Sequence, residues 1–247
     1  MNAQIRNFSS TSLSTLALAG LAAACLTGAL NAETIVVRSG QVGGNPGLVG
    51  QADDIVTYLP NNPPGGAISP NPFTAADFAG AVSGAAATVI QPYPVWASGL
   101  SDTQARWINW SMDAAGYGSP GSALYAVPFY VNTTGITQAT ISLEIAVDDG
   151  FGDWLYGGGN PDGLYVNGNS TGCQVGNYST PSFFFGNITT SVTTGQNYLY
   201  FYQRDAGVLV SGLIFSATID VQGIPTPPAA GMAGAGMMVL GVRRRRR

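Results

Sequence analysis

The chain has 247 residues, with nine Lys+Arg, thirteen Asp+Glu and no histidine, and all nine cations are arginine. That excludes Ser-His-Asp and Cys-His nucleophile systems, His-ligated zinc, phosphate-loop lysines and lysine Schiff bases. Charged residues are 9% of the chain, against roughly 25% in ordinary soluble domains, so the position of each charge matters. Arg6 and Arg243 to Arg247 lie at the ends. Arg38, Arg106 and Arg204 are left in the interior with all thirteen acids, three against thirteen, a net of −10. Such a body repels phosphate backbones, which argues against a nucleic-acid partner.

Residues 1–32 read as a secretory signal peptide. Arg6 supplies the positive start and Leu16 to Leu30 the apolar helix, and small residues allow cleavage after Ala29 or Ala32. The run falls short of the about 20 apolar residues that span a bilayer. Its removal takes Cys25 away and leaves Cys173 alone, so no internal disulfide is expected.

Residues 33–222 are long enough for one sizeable core. In chain order, strands are expected at 34–38, 55–58, 87–91, 105–110 and 123–132. A short helix is expected near 74–82. In 140–148 the alternation is clear: Ile141, Leu143, Ile145 and Val147 face one way, and Ser142, Glu144, Ala146 and Asp148 the other. Further strands are expected at 164–167, 182–191, 198–203 and 213–221. Gly, Asn, Pro, Ser and Asp clusters lie between them. Many short strands with turn signals predict an all-β fold, an antiparallel sandwich. Trp107 and Trp110 read as core. The Tyr198, Tyr200, Tyr202 stripe reads either as core or as a flat exposed platform.

The densest acidic segment runs from Asp148 through Asp149 to Asp153, with Asp162 beyond a glycine-rich loop. Oxygen ligands at glycine-permitted turns suit Ca²⁺, so Asp148, Asp149, Asp153 and Asp162 form a candidate calcium set, with solvated turn acids as the plainer reading. Asp148 and Asp153 also admit a glycosidase pair, whereas Asp148 and Asp149, as strand neighbours, should point to opposite sides. Trp154, Tyr156 and Tyr165 with Asp153 make a candidate glycan-binding constellation: flat rings stack on sugar faces and the carboxylate bonds hydroxyls. Core packing is the alternative for each ring.

After Asp220, the last acid, come Pro225-Thr226-Pro227, an apolar stretch from Ala229 to Val242 and the Arg243-Arg244-Arg245-Arg246-Arg247 cluster. A short apolar run followed by a stop-transfer cluster predicts a C-terminal membrane anchor with the arginines on the cytoplasmic side. Residues 223–247 resemble the PEP-CTERM sorting tail of Gram-negative bacteria, with Thr226 standing where that family has Glu. The body's landmarks are Ala105-Arg106-Trp107-Ile108, Ala146-Val147-Asp148-Asp149-Gly150, Val166-Asn167-Gly168, Gly195-Gln196-Asn197-Tyr198-Leu199 and Gly212-Leu213. They resemble the galactose-binding-like domain of such proteins and of carbohydrate-binding modules.

The resemblance implies a jelly roll between a signal helix and a hydrophobic C-terminal helix. It implies handling by the secretion machinery and an exosortase-type enzyme through Pro225, Thr226, Pro227 and the terminal arginines. It also implies passage through the inner membrane to the cell surface or matrix, and association with exopolysaccharide. A non-catalytic glycan-binding protein is therefore expected. A purely structural or adhesive matrix protein and a secreted glycan-active enzyme are the alternatives.

Overall fold

The computed structural model describes residues 31–60, 67–207 and 209–224. The expected signal peptide and sorting tail lie outside them, apart from their last and first two residues respectively. Among the described residues no helix is long and apolar enough to cross a membrane.

The strands are β1 (Asn31–Arg38), β2 (Gln41–Val42), β3 (Asn45–Pro46), β4 (Ala52–Pro60), β5 (Ala85–Val89), β6 (Ile108–Asn109) and β7 (Ala123–Val131). They continue with β8 (Ile136–Asp148), β9 (Gly150–Phe151), β10 (Leu164–Val166), β11 (Asn169–Ser170), β12 (Ser182–Asn187), β13 (Gly195–Arg204) and β14 (Gly212–Gly223). One helix, α1 (Ala75–Val82), interrupts them. Its start is fixed by Asp77, whose carboxylate accepts hydrogen bonds from the Thr74 backbone N–H and hydroxyl, both at 2.7 Å.

All paired strands are antiparallel. Twelve form one sheet in the order β11-β10-β13-β7-β4-β5-β6-β14-β8-β12, with β1 on β14 and β9 on β13; β2 and β3 pair separately. The sheet curls until its two halves face each other. Val127, Phe129 and Val131 of β7 and Leu199 and Phe201 of β13 then share a core with Ile141, Leu143 and Ile145 of β8 and Phe215 and Ile219 of β14. Phe201 stacks on Phe215 across the gap, ring centroids 4.0 Å apart. This is the expected all-β, sandwich-like arrangement, built from one continuous sheet.

Both outer faces carry a second layer. Over β7 and β13, α1 buries Phe78 and Ala81 against Leu124, Ala126, Tyr165, Tyr200 and Tyr202. The tyrosine stripe is therefore largely packing: Tyr200 and Tyr202 are buried and Tyr198 is half-buried. Over β8 and β14, the segment before β6 lays Trp96 on Trp107, centroids 4.5 Å apart, against Ala146 and Ile214.

That second cover changes two expectations. From Glu144 onward both faces of β8 are buried, although the residue alternation is kept. The expected strand 105–110 is reduced to β6. Trp107 is buried by stacking and by its indole N–H donating to the Ala97 carbonyl, within a loop. Trp110 is partly buried against the main core.

Candidate functional site

The candidate site lies at the end of the sheet where β8 stops. Three loops meet there. In the first, Tyr93-Pro94-Val95-Trp96 is a turn closed by the Trp96 N–H on the Tyr93 carbonyl at 2.8 Å, with proline at the position that presets the turn. It leaves Val95 exposed and tucks Trp96 inward. Gly212 makes room for that ring, since a Cβ there would lie 3.1 Å from the Trp96 side chain and 2.9 Å from Ile90.

In the second loop the Asn177 side chain accepts the Ser179 N–H at 2.7 Å, an Asx turn that displays Tyr178. The Tyr178 carbonyl accepts the Ala97 N–H at 2.7 Å and joins the two loops. The third loop follows β13 and brings Leu209 and Val210. Together they enclose a groove of about 380 Å³, lined by Tyr93, Val95, Trp96, Tyr178, Leu209 and Val210 with Asp148 and Asp149 in its wall. Volumes of about 300–1,000 Å³ are typical of small-ligand clefts.

The groove is charged on one side only. The Asp148–Asp149 peptide bond is cis, and the two carboxyls hydrogen-bond each other. This corrects the expectation that they diverge: strand alternation applies within β8, and β8 ends at Asp148. Asp149 also accepts the Ala206 and Gly207 N–H groups at 2.9 and 2.8 Å. The same Gly207 N–H lies 2.8 Å from Asp205, so a third carboxylate adjoins the pair.

Burial, the bond to Asp149 and the charges of Asp149 and Asp205 push the Asp148 carboxyl up to about 8, with the Trp96 side chain acting in the opposite sense. Burial and Asp149 also raise Asp205. Gln203 donates to the Asp148 carbonyl at 2.6 Å. Its own Oε1, and Oδ2 of Asp205, are buried without a donor.

The acids grouped as one calcium set occupy three different surroundings, and this is a correction. Asp153 is 1% exposed and accepts from Arg204 at 2.5 Å, Tyr202 at 2.8 Å and the Asn160 N–H at 3.2 Å. Its neighbour Gly158 has to be glycine, because a Cβ would stand 2.1 Å from the Asp153 carboxylate. Asp162 is bound by the Ser170 hydroxyl and by Gln174 at 2.9 Å. Only Asp148 and Asp149 of the four stay together. Among the described residues no three Asp, Glu, Cys or His side chains are arranged to hold a metal ion.

The glycan-binding set also divides. Trp154 and Tyr156 are exposed, and Tyr156 lies under the Arg204 guanidinium, 5.6 Å from ring centre to Cζ. Partial burial of its ring, and after it the charges of Asp149 and Asp148, raise the Tyr156 phenol. Tyr165, by contrast, is 6% exposed and packs edge-on to Phe73 at 5.8 Å. Tyr165 and Asp153 are thus interior groups, and neither lines the groove. Tyr93, Trp96, Tyr178 and Asp205 were missed as site residues. The one local signal was the aromatic-proline turn at 93–96.

No protein-family model and no curated protein matches the chain. Among solved structures, a family 35 carbohydrate binding module from Clostridium thermocellum is similar at 14% identity and a TM-score of 0.23, over 44% of this chain and 84% of that one. At that TM-score the fold assignment rests on the strand pairing described above.

Proposed function

We propose that the chain is an exported, non-catalytic surface or matrix protein whose body binds glycan in the Tyr93–Trp96–Tyr178 groove. The observation that carries this reading is a groove with aromatic walls and paired carboxyls in one side. Rings supply flat apolar faces for sugar C–H groups, and carboxyls accept hydroxyl hydrogen bonds. The curled sheet with its loop-built rim is read here as a galactose-binding-like jelly roll.

Binding is favoured over hydrolysis by the carboxyl geometry. Asp148 and Asp149 are in direct hydrogen bond, closer than the about 5–5.5 Å that a retaining pair needs on either side of a glycosidic bond. Asp153, the other partner considered for such a pair, is occupied by Arg204.

Export and sorting rest on the two ends of the sequence. The β1 ladder begins with Asn31 opposite Gly223. Cleavage after Ala29 leaves that strand whole, whereas cleavage after Ala32 removes its first two residues. The tail from Pro225 to Arg247 is read as the part handled by the sorting enzyme.

A glycan array probed with the purified chain tests the central claim. Saturable binding that free sugar competes away, and that Tyr178→Ala weakens, is the expected result. Silence across the array would leave the structural or adhesive reading in its place.

A further inference from the structure

We propose that the free edge of β12 pairs antiparallel with β12 of a second copy of this chain, forming a weak two-fold dimer. Among the described residues β12 pairs with β8 alone and ends the sheet. The Ile188 N–H donates to the Ala139 carbonyl in the same register, which fixes the alternation of the ladder. Gly186 and Phe184 therefore turn their backbone groups toward β8, and Phe183, Phe185 and Asn187 turn theirs to the open edge.

The side chains agree with that geometry. Phe183 and Phe185 are 70% and 71% exposed, while Phe184 between them packs against the core. The strand, Ser182-Phe-Phe-Phe-Gly-Asn187, has no charge and no proline within it. Exposed edges are normally guarded by charge, proline, a bulge or short length.

Two other edges are guarded in this way. β1 carries Glu33 and Arg38, with Glu33 accepting the Asn132 N–H at 2.8 Å and Arg38 ion-paired to Asp102 at 2.5 Å. β11 is two residues long. On a body of net charge −10, an uncharged strand is where two copies meet with least repulsion.

A self-paired strand also selects its own register. Placing Phe183 opposite Phe185 of the second copy brings outward-facing backbone groups together and collects four rings on one face. That is an isologous contact, in which each patch meets its equal. The rings contribute on the order of 250 Å² per copy. With the short strand, the contact falls below the about 1,200–2,000 Å² of standard interfaces, so a concentration-dependent dimer is expected.

Sedimentation of the full chain over a concentration series tests this. The expected result is a monomer–dimer equilibrium that Phe185→Lys weakens at least about tenfold while leaving the melting midpoint unchanged. A second test does not depend on that variant. Opposed residues of such a pair lie about 5.5 Å apart at Cα, within disulfide reach. Mixed Phe183→Cys and Phe185→Cys chains should cross-link under mild oxidation, and each alone should not. Cys25 is replaced by Ser in both chains, and buried Cys173, its thiol pushed up to about 12, stays out of that reaction. A chain that stays monomeric, a dimer indifferent to Phe185→Lys, or cross-linking of either variant alone would overturn the proposal.

Discussion

Asp149 and Asp153 flank β9 and have opposite surroundings. Asp153 is buried, with Arg204, Tyr202 and the Asn160 backbone bound to it, and it organises the loop from inside. Asp149 adjoins Asp148 and Asp205, has no ion pair among the described residues, and lies at the wall of an aromatic groove. With so few cations in the body, the placement of one arginine decides which acid is built into the interior and which is left at the groove. Acid-rich sequence alone would assign both the same role.

The largest expected effect comes from breaking the neutralised side of that comparison. Arg204→Met leaves Asp153 buried without its countercharge, and a loss of about 3–5 kcal/mol in denaturant unfolding is expected. The groove side should respond in binding instead. Tyr178→Ala removes an exposed ring and should weaken glycan binding about tenfold at unchanged stability, as read by titration and melting.

The third prediction concerns pH. Asp148 is raised to about 8 from an ordinary value of 3.8, so above pH 3.8 the native state holds a proton that the unfolded chain has released. Its contribution to stability is therefore greatest at low pH, falls as pH rises toward about 8, and is level beyond. Asp148→Asn should remove that part of the slope in melting curves taken across the window. The smallest effect is expected for Tyr165→Phe. The ring stays in its packed cluster, so glycan binding should not change and stability should shift by no more than about 1 kcal/mol.

What was legible in the sequence followed from local periodicity. The alternation in β8 and β14 placed their core residues, in β13 it separated Leu199 and Phe201 from the tyrosines without saying which set faces the main core, and Thr74 marked the start of α1. What was not legible depended on contacts between distant segments. Nothing near Glu144 or Asp148 signals that residues 90–107 will cover their face. The bond between Ala97 and Tyr178 that joins the groove loops spans a long stretch of chain. Tyr165 and Tyr156 are alike as residues, and only α1 with the Phe73 segment decides that one is interior. The same holds for Asp153: no local pattern announces that Arg204, at the end of β13, will claim it.

The two ends of β14 have a mechanical consequence. At one end Gly223 is the ladder partner of Asn31, so the chain enters and leaves the body side by side. At the other end Gly212 is the partner of Asp148, beside the groove. Twelve residues of strand separate them, about 40 Å of extended chain. Within the body, the points of entry and exit thus lie at one pole and the groove at the opposite one. Pulling on the two ends of the body would peel β1 from β14 like a zipper before it strained the loops around Trp96.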